Sequence, residues 1–107
     1  MLPFKEFVEK LKTIPAKVTT EGTAVYNDVK LRGDTITYWR GSREFYGGKR
    51  RPLVEKLIVK ELFDIYQNLD SIDKNKVRLY LSRKQYIVAV AFLKAIGLYD
   101  KNGNRIH

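Results

Sequence analysis

Val29-Lys30-Leu31-Arg32-Gly33-Asp34-Thr35-Ile36-Thr37-Tyr38-Trp39 reads as two β-strands folded back on a two-residue turn. Gly33-Asp34 supplies the turn, because a glycine beside an aspartate relieves the backbone where a strand must reverse. Across that turn Arg32 faces Thr35, Leu31 faces Ile36, Lys30 faces Thr37, Val29 faces Tyr38 and Asp28 faces Trp39. Side chains alternate along a strand, so Val29, Leu31, Ile36 and Tyr38 take an inner side, and Lys30, Arg32, Thr35, Thr37 and Trp39 an outer one. The only tryptophan of the chain is therefore expected among cations, facing outward.

Upstream, β-branched and alternating residues from Lys17 to Arg40, with a second turn signal at Glu21-Gly22, predict two or three antiparallel strands. Phe4, Phe7, Val8 and Leu11 recur at helical spacing and predict a short helix that starts near Pro3 and stops before Pro15. Downstream, Val54, Leu57, Ile58, Leu62, Ile65 and Leu69 make the apolar stripe of a helix opened by Pro52. Asp70 to Asn75 is a polar break, and the alternation of Val77, Leu79 and Leu81 with Arg78 and Tyr80 predicts another strand.

Ser82 and Gln85 carry the spacing of a capping box, which opens a helix running to Gly97. That helix is apolar on nearly all sides and belongs in the core. Asn102-Gly103 marks a small terminal hairpin. The expected fold class is α+β: a small antiparallel sheet, with its hairpin around Gly33-Asp34, packed against about three helices near residues 3–14, 52–69 and 82–96 in one domain spanning 1–107.

Charge decides the class of partner. The chain of 107 residues carries 21 Lys+Arg against 12 Asp+Glu, a net charge of +9, and a field of that sign attracts polyanions. Between Lys30 and Arg51, seven cations stand against only Asp34 and Glu44. Such local self-repulsion disfavours the free fold and is explained by an anionic partner. A peripheral membrane helix needs a cationic face opposite a continuous apolar one, whereas the cations here gather around the hairpin, so no membrane partner is expected. No basic leader with an apolar run and cleavage site is evident, and no apolar run reaches membrane-spanning length. The expected location is intracellular, cytoplasmic or nucleoid-associated. Cysteine is absent, which fits a reducing compartment or a hot one, and the abundance of Lys, Ile, Val and Tyr hints at a thermophile.

Beyond the hairpin, Tyr38-Trp39-Arg40-Gly41-Ser42-Arg43-Glu44-Phe45-Tyr46-Gly47-Gly48-Lys49-Arg50-Arg51 places rings beside cations and glycines. Flat rings stack on bases, cations neutralise phosphates, and glycine lets the backbone approach closely, so this composition points to nucleic acid. On this reading Trp39, Phe45 and Tyr46 stack, each worth about 1–3 kcal/mol per base. Lys30, Arg32, Arg40, Arg43, Lys49, Arg50 and Arg51 neutralise the backbone, with Tyr26 as a weaker contact. Rings on strand and loop suit unpaired bases, so single-stranded DNA or RNA is favoured over duplex. Few Asn or Gln residues lie in the patch, so little sequence preference is expected.

Two other classes stay open. Arg83-Lys84-Gln85-Tyr86 at a helix start, followed by Leu93-Lys94-Ala95-Ile96-Gly97-Leu98-Tyr99 and the Asn-Gly turn, resembles the recognition helix and wing of a winged-helix domain. Over that last quarter of the chain the resemblance implies a regulator that binds double-stranded DNA through the basic helix start, with Lys74, Lys76 and Arg78 nearby. The centre of this helix is more apolar than one lying in a wet groove. Alternatively, Trp39, Phe45 and Tyr46 anchor a protein partner in a small adaptor or assembly protein, since Trp, Tyr and Arg are enriched at binding hot spots. An apolar helical face left uncovered would argue for a homodimer.

Catalysis has few parts to use. The single histidine is His107, and no carboxylates stand at helical spacing with a His partner. Scattered acids such as Asp28, Asp34 and Glu44 near Lys49 are the nearest approach to a metal-dependent nuclease. Gly47-Gly48-Lys49 lacks the spacing of a nucleotide-binding P-loop. Neither a metal nor a small-molecule cofactor is expected, and the chain is read as no enzyme.

Overall fold

The computed structural model describes residues 1–20, 22, 24–41 and 53–107. Strands form where β-branched and aromatic residues suit a pleated, half-buried surface. They are β1 (Val18–Thr19), β2 (Val25–Arg32), β3 (Thr35–Arg40) and β4 (Val54–Ile58), joined as one antiparallel sheet in that order. Four helices complete an α+β fold among the described residues: α1 (Phe4–Leu11), α2 (Val59–Asn68), α3 (Lys74–Val77) and α4 (Tyr86–Ala95), with a 3₁₀ turn at Arg78–Tyr80.

The hairpin closes at Gly33-Asp34, with Gly33 at φ 61°, and its first three pairs are those the turn predicts: Arg32 with Thr35, Leu31 with Ile36, Lys30 with Thr37. Beyond them the register shifts. Asn27 pairs with Trp39 and Tyr26 with Arg40, so Asp28 and Val29 together span the place opposite Tyr38. This is a β-bulge, with Asp28 at φ 49°, a left-handed conformation that aspartate tolerates better than most residues. Val29 turns its N–H out of the ladder to the Ala16 carbonyl at 2.9 Å. One extra residue inverts the side-chain alternation upstream, which is why Tyr26 points into the core and is only 3 % exposed, rather than serving as a surface contact.

There Tyr26, Tyr38 and Phe92 of α4 meet edge to face, with ring centroids 5.3 to 5.8 Å apart. The Gln85 amide donates to the Tyr38 hydroxyl at 2.7 Å and so fixes the start of α4 against the sheet. At the other end of the core α1 lies on α2, with Phe7 packed against both Phe63 and Tyr66. Phe7 and Leu11 of the predicted α1 stripe are fully buried.

Three sequence expectations are corrected. Residues 54–58 form β4 rather than the start of a helix. The spacing of Val54, Leu57 and Ile58 suits a helix, but pairing with β3 buries Leu57 beside Ile36, and this tertiary pairing outweighs local pattern. Residues 77–81 are no strand. The Asp73 carboxylate accepts from the N–H groups of Asn75 and Lys76 at 2.8 and 2.9 Å, capping α3 and starting a helical turn that leaves Leu79 87 % exposed. Finally, Ser82 makes no capping box, because its N–H and hydroxyl both donate to the Glu61 carboxylate at 3.2 Å and α4 begins only at Tyr86. Gly97, at φ 78°, follows the last turn of α4 as expected. The Asn102-Gly103 turn folds Tyr99 back onto Arg105.

Candidate functional site

Strand pairing arranges the outer face of β2, β3 and β4 in three cross-strand rows. Arg32, Thr35 and Ile58 form one, Lys30, Thr37 and Lys56 the next, and Asn27, Trp39 and Val54 the third. Lys30, Arg32 and Lys56 are exposed, and among the described residues none of them takes part in an ion pair. Thr37 sits between the two lysines and is buried, as expected where long aliphatic stems lie over a short neighbour. The face is dished into a concavity of about 470 Å³.

Trp39 occupies the predicted face without the predicted exposure. It is 7 % exposed yet stands apart from the main core cluster, and its indole N–H donates to the Asp28 carboxylate at 2.7 Å. The bulge gives the place opposite Trp39 to Asn27 instead of Asp28, and the Asp28 carboxylate still meets the ring edge. A ring covered in this way is not an open platform for a base, so the expected stacking role of Trp39 is withdrawn.

Lys30 and Arg32 are brought together as expected, and Arg40 is not. Its register partner is Tyr26, which sets it on the core side of β3 at an exposed strand end. The remaining sequence candidates, Arg43, Phe45, Tyr46, Lys49, Arg50 and Arg51, lie outside the described residues. Two members of the face were not among those candidates. Lys56 was read as part of a helix, although Val54, Ile58 and Val59 are β-branched; Asp28 was placed opposite Trp39 by the hairpin register but not counted as a nucleic-acid contact.

The second basic group, Lys74, Lys76, Arg78, Arg83 and Lys84, is exposed around the start of α4. The Arg78 guanidinium lies over the Tyr86 ring, 4.8 Å from its centroid. Behind that start α4 buries Val88, Ala89, Phe92 and Leu93, so the helix resembling a recognition helix is a core element. Among the described residues no three acids or histidines gather as a metal site, and no helix is long and apolar enough to cross a membrane. Compared with family models, curated proteins and solved structures, the chain matches none.

Proposed function

We propose that this protein binds single-stranded nucleic acid, DNA or RNA, without catalysis, through the outer face of β2, β3 and β4. The observation that carries the reading is the Lys30, Thr37, Lys56 row with Arg32 beside it: exposed cations on one concave face, none of them neutralised by a carboxylate among the described residues. Strand spacing sets the two lysines about 10 Å apart across β3, and Arg32 about 7 Å along β2 from Lys30. An extended backbone crossing the sheet would meet them in succession. The net charge of +9 supplies the long-range attraction. A duplex reader is less well supported, because it presents a polar helix to the groove and α4 is held in the core.

The test is a titration of labelled oligothymidylate, oligouridylate and a duplex across a salt series. Binding to the single strands should dominate and weaken with salt at a slope of about −0.7 per neutralised phosphate. Lys30→Glu combined with Lys56→Glu should abolish it at moderate salt. Unchanged binding in that variant, or no binding of the wild type at low salt, would sink the reading. A duplex preference would move the site to Arg83 and Lys84.

A further inference from the structure

Asp28 is an acid inside a cationic concavity, and no structural need accounts for its charge. The bulge requires a residue that accepts φ 49°, and the indole of Trp39 requires one acceptor oxygen. Asparagine meets both requirements equally well. A charge placed merely to balance Lys30, Arg32 and Lys56 would be found in an ion pair, and Asp28 forms none among the described residues. Its carboxylate is exposed, held at one oxygen by Trp39, with acceptor capacity left on both oxygens. For phosphates alone such a group is a liability, since it repels them from the face that the cations draw them to.

Resting on the single-strand reading above, we infer that Asp28 selects guanine. An ionised carboxylate only accepts hydrogen bonds. The pairing edge of guanine presents two adjacent donors, N1–H and N2–H, which match the two carboxylate oxygens in a bidentate pair. Cytosine and adenine place a ring-nitrogen lone pair beside their single amine, and thymine and uracil flank their N–H with two carbonyls, so each sets an acceptor against the carboxylate. The base enters the concavity beside Asp28 while Lys30, Arg32 and Lys56 hold the flanking phosphates. The Trp39 indole fixes the carboxylate in place and so acts as a positioning residue. Modest sequence preference at the other positions of the strand fits the scarcity of Asn and Gln on this face.

The experiment measures affinity for a short oligothymidylate and for the same strand with one central guanine, inosine, cytosine or adenine. Guanine should tighten binding about tenfold over thymine. Inosine, which lacks the N2 amine, should lose most of that gain, in a comparison that needs no protein variant. In Asp28→Asn, with an unchanged far-ultraviolet circular dichroism spectrum and cooperative thermal unfolding as the check on folding, the guanine preference should vanish while oligothymidylate binds as well or slightly better. Equal binding of all bases by the wild type, or a guanine preference that survives in Asp28→Asn, overturns the assignment while leaving single-strand binding intact. Displacement of the guanine strand by an equal concentration of free GMP would overturn the strand-borne form of the site. Failure to bind any strand would overturn the parent reading and this one with it.

Discussion

The Gln85 side-chain amide and the Tyr38 hydroxyl, 47 residues apart in sequence, meet at 2.7 Å and tie the start of α4 to the central strand of the sheet. Tyr38 is 1 % exposed, so its hydroxyl has little access to water as a substitute partner. Its other side-chain partner is the Glu55 carboxylate, so Gln85→Ala removes one of two hydrogen bonds and should destabilise the protein by about 1 kcal/mol. Tyr38→Phe, combined with it, should add less than its separate effect. Urea unfolding followed by Trp39 fluorescence measures both, and full additivity would mean that the bond contributes nothing.

Buried phenols should also set the alkaline limit of the fold. Burial, reinforced by the Glu55 carboxylate, pushes the Tyr38 hydroxyl well above its ordinary value, and burial raises Tyr26 and pushes Tyr99 up to about 12. In the unfolded chain these groups ionise near 10.0, so at higher pH the unfolded state binds fewer protons than the folded one. Stability is thus full below that pH and falls as pH rises towards about 12 for Tyr99, by about 1.4 kcal/mol per pH unit for each tyrosine. Tyr99→Phe should remove one such increment from the slope of unfolding free energy against pH. An unchanged slope would show that Tyr99 ionises freely in the folded state.

What was legible in the chain was local. A two-residue turn between alternating segments announces the hairpin, and apolar residues at helical spacing between two prolines announce α1. The bulge was hidden because Asp28 leaves the ladder only when Val29 finds the Ala16 carbonyl and Tyr26 finds the ring of Phe92. Strand β4 was hidden because its apolar spacing satisfies a helix, and the partner that decides otherwise, β3, lies across residues 42–52. The site follows the same division. Lys30 and Arg32 were legible because they belong to the hairpin, and the hairpin register also set Asp28 opposite Trp39; the bulge that gives that place to Asn27, and the arrival of Lys56 through β4, were not.

A close approach at the terminal turn makes a sharper stability test than a turn angle alone. Gly103 has φ 86°, its carbonyl accepts from Ile72 N–H at 2.7 Å, and a Cβ at this position would overlap the Ile72 carbonyl oxygen. Gly33 has φ 61°, and a methyl group there would meet nothing within 4 Å. Gly33→Ala should cost about 1 kcal/mol from backbone conformation alone, and Gly103→Ala about 2 kcal/mol or more because backbone must also move. Thermal unfolding of the two variants side by side measures the difference, and equal losses would remove the steric contribution at Gly103.

Lys56 and Lys60 offer a comparison between a charge in place and a charge merely present. Both are exposed, four residues apart, but Lys56 lies in the row with Thr37 and Lys30, whereas Lys60 is in the first turn of α2 beside the groove lined by Phe4, Val8 and Phe63. Neither side chain anchors the core, so each alanine variant should keep its stability within about 0.5 kcal/mol. Lys56→Ala should weaken oligothymidylate binding and flatten the slope of log affinity against log salt by about 0.7, the contribution of one neutralised phosphate. Lys60→Ala changes net charge by the same amount and should leave that slope unchanged, because counterions are released only where a cation meets a phosphate. Equal effects in the two variants would mean that the strand responds to overall charge, and the sheet face would lose its claim to be the site.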